Sequence, residues 1–488
     1  MRSNEGNKGV LASLDWFTIS LYLILVTWGW FSVCGASYDF INPDIFGWST
    51  NSGKQLVWIG TAIILGSMLL LIEKRFYDTS AYFIYMTMIM LLIVTIIIAP
   101  ETKGSKSWIP IGPVKLQPAE FAKFAVALTI SKLMNTYGFT LANTRQFAQV
   151  AVLILLPMLL IICQKETGSA LVYLSFFLVL YREGMTGAFL FTGFAMIVYF
   201  VVGIRFSTEQ LSYMPVIVGE FIVHLLISIF TIAMTWVYTR NWQLTRTLVL
   251  TVIGSTILAL LFSAYVIPFN ICHVQLIANT AMTITLIVMA FTTRTAKLTF
   301  IALFAIISTS FFYASNHVFH KVLQDHQRTR IEVLLGINDA IRRAGYTVTQ
   351  AKIAIGSGGL TGKGFLNGTQ TKLKYVPEQD TDFIFCTVGE EEGFIGSAAL
   401  LITYLIFILR LIHIAERQPD SMGRVYGYSV LCIFLFHLFI NIGMVLGLTP
   451  VIGIPLPFFS YGGSSLWGFT VLLFILLRID AERNLKRQ

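Results

Sequence analysis

Asp382 stands where chemistry is most expected, in Thr381-Asp382-Phe383-Ile384-Phe385, at the point where a polar stretch gives way to an apolar run. A carboxylate at such an entry point into lipid is costly unless it is paired, and two readings compete for it. It either favours a helix N-terminus through the macrodipole or takes up a proton in a partly dehydrated cleft; the residues by themselves favour the first. Glu378, Asp380 and the triplet Glu390-Glu391-Glu392 add acidic density nearby, and Arg328, Arg330 and Lys123 are the candidate partners.

Three further segments carry polar chemistry. Gly356-Ser357-Gly358-Gly359-Leu360-Thr361-Gly362-Lys363-Gly364 fails as a nucleotide P-loop, because Ser357 holds the place of the first glycine and Gly364 that of the Ser/Thr. It suits irregular backbone lining a wet or ligand-filled cavity, with Lys363 offered to an anion; a plain flexible turn is the alternative. Trp108-Ile109-Pro110-Ile111-Gly112, then Gln117-Pro118-Ala119-Glu120-Phe121-Ala122-Lys123, put Glu120 and Lys123 on one face of a helix start. They form either an internal salt bridge or the wall of a groove with Trp108 as interface anchor or platform. Gly453 to Ser465, including Ser460, Tyr461, Gly462, Gly463 and Ser464, is dense in helix breakers. Its amides and hydroxyls suit phosphate or sugar oxygens, though tight helix packing uses the same small residues. His317 and His320 lack a third metal ligand at fixed spacing.

The elements that position these residues belong to a membrane protein. Of 488 residues 56% are hydrophobic and 12% charged, and the mean hydropathy is +0.75, outside the range of soluble domains. The formal charge of +9 is the basic bias of cytoplasmic loops rather than a nucleic-acid footprint. Five cysteines without C-x-x-C spacing indicate packing rather than a disulfide framework or zinc. Trp58, Trp108 and Trp242 fall near ends of apolar runs, as interfacial aromatics do. The expected fold is all-α and polytopic in a single membrane domain, with about fourteen spans. They cover 15–35, 55–72, 80–99, 118–136, 148–164, 168–181, 187–204, 215–238, 247–267, 272–292, 297–316, 383–411, 424–447 and 464–478. Lys and Arg placement leaves the N-terminus, read as an uncleaved first span, and the C-terminus cytoplasmic. Two outer loops depart from that bias: 100–117 holds Lys103, Lys106 and Lys115, and 317–381 holds nine basic against five acidic residues. Such charge outside implies contact with anionic headgroups or an anionic substrate.

Taken in order, these segments resemble the SEDS family of membrane glycosyltransferases of cell shape, elongation, division and sporulation. The similarity rests on Lys106-Ser107-Trp108, Gln117 to Lys123, Gln327-Arg328-Thr329-Arg330, Ala354 to Gly359, Gly368-Thr369-Gln370, Pro377-Glu378, Thr381-Asp382 and Pro455 to Ser464. Gly368-Thr369-Gln370 favours the RodA-like elongation branch. Gln164-Lys165-Glu166-Thr167-Gly168-Ser169 departs from the family's Gln-Pro-Asp-Leu-Gly-Thr, leaving Glu166 as a substitute carboxylate, and Asp380 stands where a His is usual. Roughly residues 187–292 hold about four spans beyond the family's usual ten, which divides the chain into a core of 1–186 and 293–488 with an outer catalytic loop near 317–382.

The resemblance implies polymerisation of lipid II on the outer face of a bacterial cytoplasmic membrane, with an undecaprenyl-linked glycan as donor and undecaprenyl pyrophosphate released. It makes Asp382 the catalytic carboxylate, reversing the preference for capping. It assigns Lys363, Arg328 and Arg330 to the pyrophosphate and Trp108, Glu120 and Lys123 to the donor groove. Gln370, Glu378, Thr381 and the 460–464 segment are assigned to further substrate contact. A divalent cation, Mg or Mn, is a further expectation for the pyrophosphate, with no ligands assigned. The expected partner is a class B penicillin-binding protein, a transpeptidase; membrane lipids complete the list. A flippase that moves the lipid without forming a bond, and a non-catalytic scaffold, are the rival readings.

Overall fold

The structure is a computed structural model that describes residues 12–38, 44–102, 104–112, 114–210, 215–321, 323, 325–335, 337 and 345–485. Two compact units emerge, Met1–Met185 with Tyr346–Gln488, and Thr186–Gly345.

In the first unit the helices are α1 (Trp16–Ser37), α2 (Asn51–Leu71), α3 (Lys74–Ile98), α4 (Pro118–Met134), α5 (Thr144–Cys163), α6 (Thr167–Leu171) and α7 (Phe176–Arg182), a 3-10 turn joining the last two. The second unit contributes α8 (Gly187–Arg205), α9 (Val218–Thr239), α10 (Trp242–Tyr265), α11 (Ile271–Thr293), α12 (Ala296–Lys321) and α13 (Asp325–Leu335). The first unit resumes with α14 (Tyr346–Ser357), α15 (Ile384–Glu391), α16 (Gly393–Glu416), α17 (Ser421–Leu446) and α18 (Gly463–Leu485). Among the described residues twelve helices are long and apolar enough to cross a membrane. Helix α4 is shorter, and Thr167–Arg182 forms a short apolar pair, so every expected span has a helix. Two details differ from the expectation. A two-stranded antiparallel hairpin, β1 (Ile109–Ile111) and β2 (Val114–Leu116), interrupts the all-helical pattern. The span expected over 383–411 is two helices, broken at Glu392 and Gly393, where Gly393 has φ +67°.

Burial sorts the helices of the first unit. The apolar window of α18 is 94% buried, against 22% for α2 and for α5, so α18 is the central rod and the latter two present apolar faces outward. Helices α4 and α17 share that interior. The termini end is tied by charge: Asp15 caps α1 through Thr18 N at 3.2 Å and accepts from Arg410 Nη2 at 2.7 Å and Arg417 Nη2 at 3.0 Å. Arg417 also pairs with buried Asp480, and Arg424 grips Glu183 with two bonds of 2.9 Å. The opposite end carries the loops that hold the candidate site.

The second unit has an apolar core around Tyr199, Val223, Ile227, Leu286 and Phe312. A polar seam runs through it: His224 Nε2 meets Tyr313 Oη at 3.0 Å, and Asn279 Nδ2 donates to His224 O at 3.1 Å.

Candidate active site

Helix α15 begins at Ile384 with Phe383 as its N-cap, so Asp382 lies in the turn before the helix rather than at its first residue. Thr381 N and Phe383 N both donate to Glu378 O, at 3.3 and 3.1 Å, and this tight turn presents the half-buried Asp382. Glu378 bends the chain there with φ +54°. Opposite the carboxylate runs the breaker-rich segment 449–462, which places Gly453, with φ +79°, so close that a Cβ on it would stand 3.2 Å from Asp382 Oδ2. Only glycine combines that backbone angle with that approach.

The segment 453–464 grips the turn instead of standing open. Ser460 Oγ donates to Thr381 O at 2.6 Å, Tyr461 N donates to Asp380 O at 2.9 Å, and Asn51 Nδ2 bonds the Asp380 carboxylate. Gly462 N donates to Gln55 Oε1 at 3.2 Å. Ser464 Oγ accepts from Gln117 N at 3.2 Å and donates to Lys115 O at 3.1 Å, fastening the hairpin. Gly463 admits the ring of Trp58, which is 9% exposed and therefore a packing residue rather than the expected interface anchor. These small residues are used in packing, the second of the two readings open for them.

Lys363 does not stand free for an anion. Its Nζ lies 2.7 Å from Glu390 Oε1 and 2.6 Å from Thr369 Oγ1. The fully buried Glu390 also accepts from the main-chain N–H of Thr369 and Gln370, both at 2.8 Å, and of Thr371 at 2.9 Å. Gln370 thus contributes its backbone to this knot. Each acid of the triplet has its own partner: Glu391 pairs with Lys372 at 2.9 Å, and Glu392 Oε1 accepts from Trp28 Nε1 at 2.7 Å. These partners replace the expected Arg328, Arg330 and Lys123.

Glu120 and Lys123 form a 2.7 Å ion pair, 2% and 0% exposed, so the groove wall expected of them is instead the interior of the bundle. Lys123 Nζ also reaches His437 Nε2 at 3.1 Å and sits 5.0 Å from the Phe469 ring centre. Half-buried Trp108 leads into the hairpin, and its neighbour Ser107 donates to Glu166 Oε2 at 2.8 Å. Lys106 N donates to Gln164 O at 2.9 Å, so the departure from the family pattern sits against this loop. Burial pushes the Glu166 carboxyl above its ordinary range, against the opposing pull of the serine bonds. Arg328 belongs to the second unit, where its Nε pairs with Glu332 at 2.8 Å and its guanidinium lies over Phe319. Arg330 is on the same helix, and its side chain lies outside the described residues.

Asn441 and His437 were missed in the sequence. Both lie inside an apolar run, where a buried polar side chain marks a built site, and that was the available signal. Among the described residues no three His, Cys, Asp or Glu side chains gather as a metal site.

Comparison with known proteins agrees with this architecture. The family model for FtsW, RodA and SpoVE, described as "Cell cycle protein", matches residues 15–218 and 225–485. The peptidoglycan glycosyltransferase RodA of Treponema pallidum (strain Nichols) is 31% identical over 431 residues, 88% of this chain and 89% of the relative. The peptidoglycan glycosyltransferase MrdB of Escherichia coli (strain K12) is 28% identical over 435 residues, 88% of this chain and 86% of the relative. The rod shape determining protein RodA of Thermus thermophilus shares the fold with a TM-score of 0.54 at 20% identity, covering 96% of this chain and 97% of that one. A chain from a peptidoglycan synthase complex that coordinates polymerization and crosslinking has a TM-score of 0.56 at 20% identity, covering 96% of this chain and 98% of that one.

Proposed function

The chain belongs to the FtsW, RodA and SpoVE family, and from that premise we propose that Asp382 is the general base with which it joins lipid-linked sugars into glycan. It is a multi-pass membrane peptidoglycan glycosyltransferase, and its RodA and MrdB relatives favour a role in elongation. The acceptor is lipid II and the donor the growing glycan on undecaprenyl pyrophosphate. The acceptor's 4-hydroxyl oxygen forms a bond to the donor's anomeric carbon. The bond from that carbon to the pyrophosphate oxygen breaks, the leaving group keeps the electron pair, and the hydroxyl proton passes to Asp382.

The observation that carries this reading is the setting of Asp382: half-buried, at the loop end of the first unit, on a turn whose backbone is clamped from the far side of the chain. A base must be held in reach of one hydroxyl, and a fixed backbone supports that. Lys363 and Arg328 already have carboxylate partners, so in this proposal each of these two meets phosphate oxygen by giving up its own carboxylate, Glu390 for Lys363 and Glu332 for Arg328. The proposed orientation puts the loop end outside the cytoplasmic membrane and both termini inside. A transpeptidase of the penicillin-binding class is the proposed partner, in keeping with the crosslinking activity of the synthase complex that shares this fold.

The test is polymerisation of labelled lipid II by the purified chain. Asp382→Asn should lower turnover by about 10²- to 10⁴-fold while the detergent thermal melt stays unchanged. Turnover equal to wild type in that variant removes the general base. Absence of glycan from the wild type, with movement of lipid II across vesicles, would favour the flippase reading. Against that rival, the buried ion pairs of the first unit lie near helix ends, not in file along a path.

A further inference from the structure

Three successive carbonyls of the turn carrying Asp382 are held by three separate groups. Asp380 O accepts from Tyr461 N at 2.9 Å, Thr381 O from Ser460 Oγ at 2.6 Å, and Asp382 O from Asn441 Nδ2 at 2.9 Å. The first two come from the segment before α18. The third comes from within α17, and it has a second attachment.

Asn441 is fully buried, and its Nδ2 also donates to Ile454 O at 2.8 Å. Both amide hydrogens are therefore used, one on the residue that bears the carboxylate and one on the segment facing it. Gly453 precedes Ile454 and is the residue pressed against Asp382 Oδ2. Asn441 thus ties the residue that bears the carboxylate to the segment in front of it, as Ser460 and Tyr461 tie the two residues before it.

His437 lies one turn earlier on the same helix, also fully buried, with Nδ1 3.1 Å from Pro455 O. A carbonyl only accepts, so Nδ1 carries the hydrogen and Nε2 offers its lone pair to the Lys123 ammonium at 3.1 Å. Glu120 balances that ammonium at 2.7 Å. The buried charge pair therefore fixes the histidine's tautomer and orientation, and through it the neighbour of Ile454. Burying polar side chains among apolar helices is unfavourable unless they are engaged; here His437 and Asn441 spend their hydrogens on the carbonyls of Pro455 and Ile454, the Glu120–Lys123 pair stands behind His437, and Asn441 Oδ1 is left without a partner among the described residues.

We infer that Asn441, backed by His437, is a positioning residue for Asp382, holding the backbone of the carboxylate and the Gly453 edge in one register. The inference rests on Asp382 being the base. Asn441 touches no reacting atom; it acts through the angle at which the carboxylate is offered. A displacement of about an ångström at such a group costs turnover by about 10²-fold.

The experiment uses the full chain in lipid nanodiscs with labelled lipid II, comparing wild type, Asn441→Ala, Gly453→Ala and Asp382→Asn. The glycine variant removes no hydrogen-bonding group and sets a methyl group against the carboxylate at a backbone angle alanine adopts only with strain, so its melting temperature is read beside its kcat. Asn441→Ala and Gly453→Ala should each lower kcat by about 10²-fold, leave KM for lipid II within about twofold, and move the acid limb of the kcat–pH profile. Unchanged kcat in both variants, or a loss confined to KM, overturns the positioning role. A loss of kcat that follows the melting temperature with the acid limb unmoved overturns it equally. Wild-type turnover in Asp382→Asn removes the base assignment itself, whereas an inactive Asp382→Asn beside an unaffected Asn441→Ala and Gly453→Ala removes only the positioning role.

Discussion

Glu390 organises the loop that the sequence reading gave to Lys363. One buried carboxylate takes a partly exposed ammonium and three main-chain N–H groups. Glu390→Gln would turn an amide NH₂ toward donors, so it should destabilise the fold by about 3 kcal/mol, seen as a lower melting temperature and faster proteolysis within 357–371. Lys363→Met, which removes the less buried partner, should cost less. Lys363 was legible as a cation among glycines, but its partner is 27 residues further on and nothing local announces which acid of the triplet turns back. Asp382 was legible through its motif. Its surroundings were not, because Asn441 and Gly453 meet it only after two helices have folded past each other.

At the level of elements, the glycines of 356–364 prove to be of two kinds. Gly362, with φ +77°, crosses the break between α15 and α16 so closely that a Cβ would lie 2.1 Å from Glu391 O. Gly356 lies in α14 with nothing within 4 Å of its Cβ position. Gly362→Ala should therefore destabilise by at least about 2 kcal/mol, whereas Gly356→Ala should be neutral or stabilising by up to about 1 kcal/mol; thermal melts of the two variants check the contrast. A glycine-rich sequence reads the same in both cases. Hydropathy located the spans because each helix needs enough apolar residues to replace water with lipid. It could not locate the break at Glu392–Gly393, because the acidic triplet reads as charge within one long span and only the backbone of Gly362, crossing there, explains the bend. The hairpin 109–116 escaped for a related reason: its two strands of three residues are too short to show a period.

For the molecule as a whole, the proposed orientation is checked by labelling. Cys163 is the exposed cysteine of the five, so a Cys163→Ser background leaves only buried thiols. There, Leu373→Cys at the loop end should react with a membrane-impermeant maleimide in intact cells, and Tyr137→Cys at the termini end only after permeabilisation; both native side chains are exposed. The opposite pattern would put Asp382 in the cytosol and end the proposal. The clamp on residues 380–382 also bears on biosynthesis. Every group that holds those three carbonyls, from Asn441 to Tyr461, lies C-terminal to the acid. A nascent chain halted before Tyr461 has emerged from the ribosome contains the acid but lacks part of its brace, so the clamp is assembled only after the stretch from Asn441 to Tyr461 has been made.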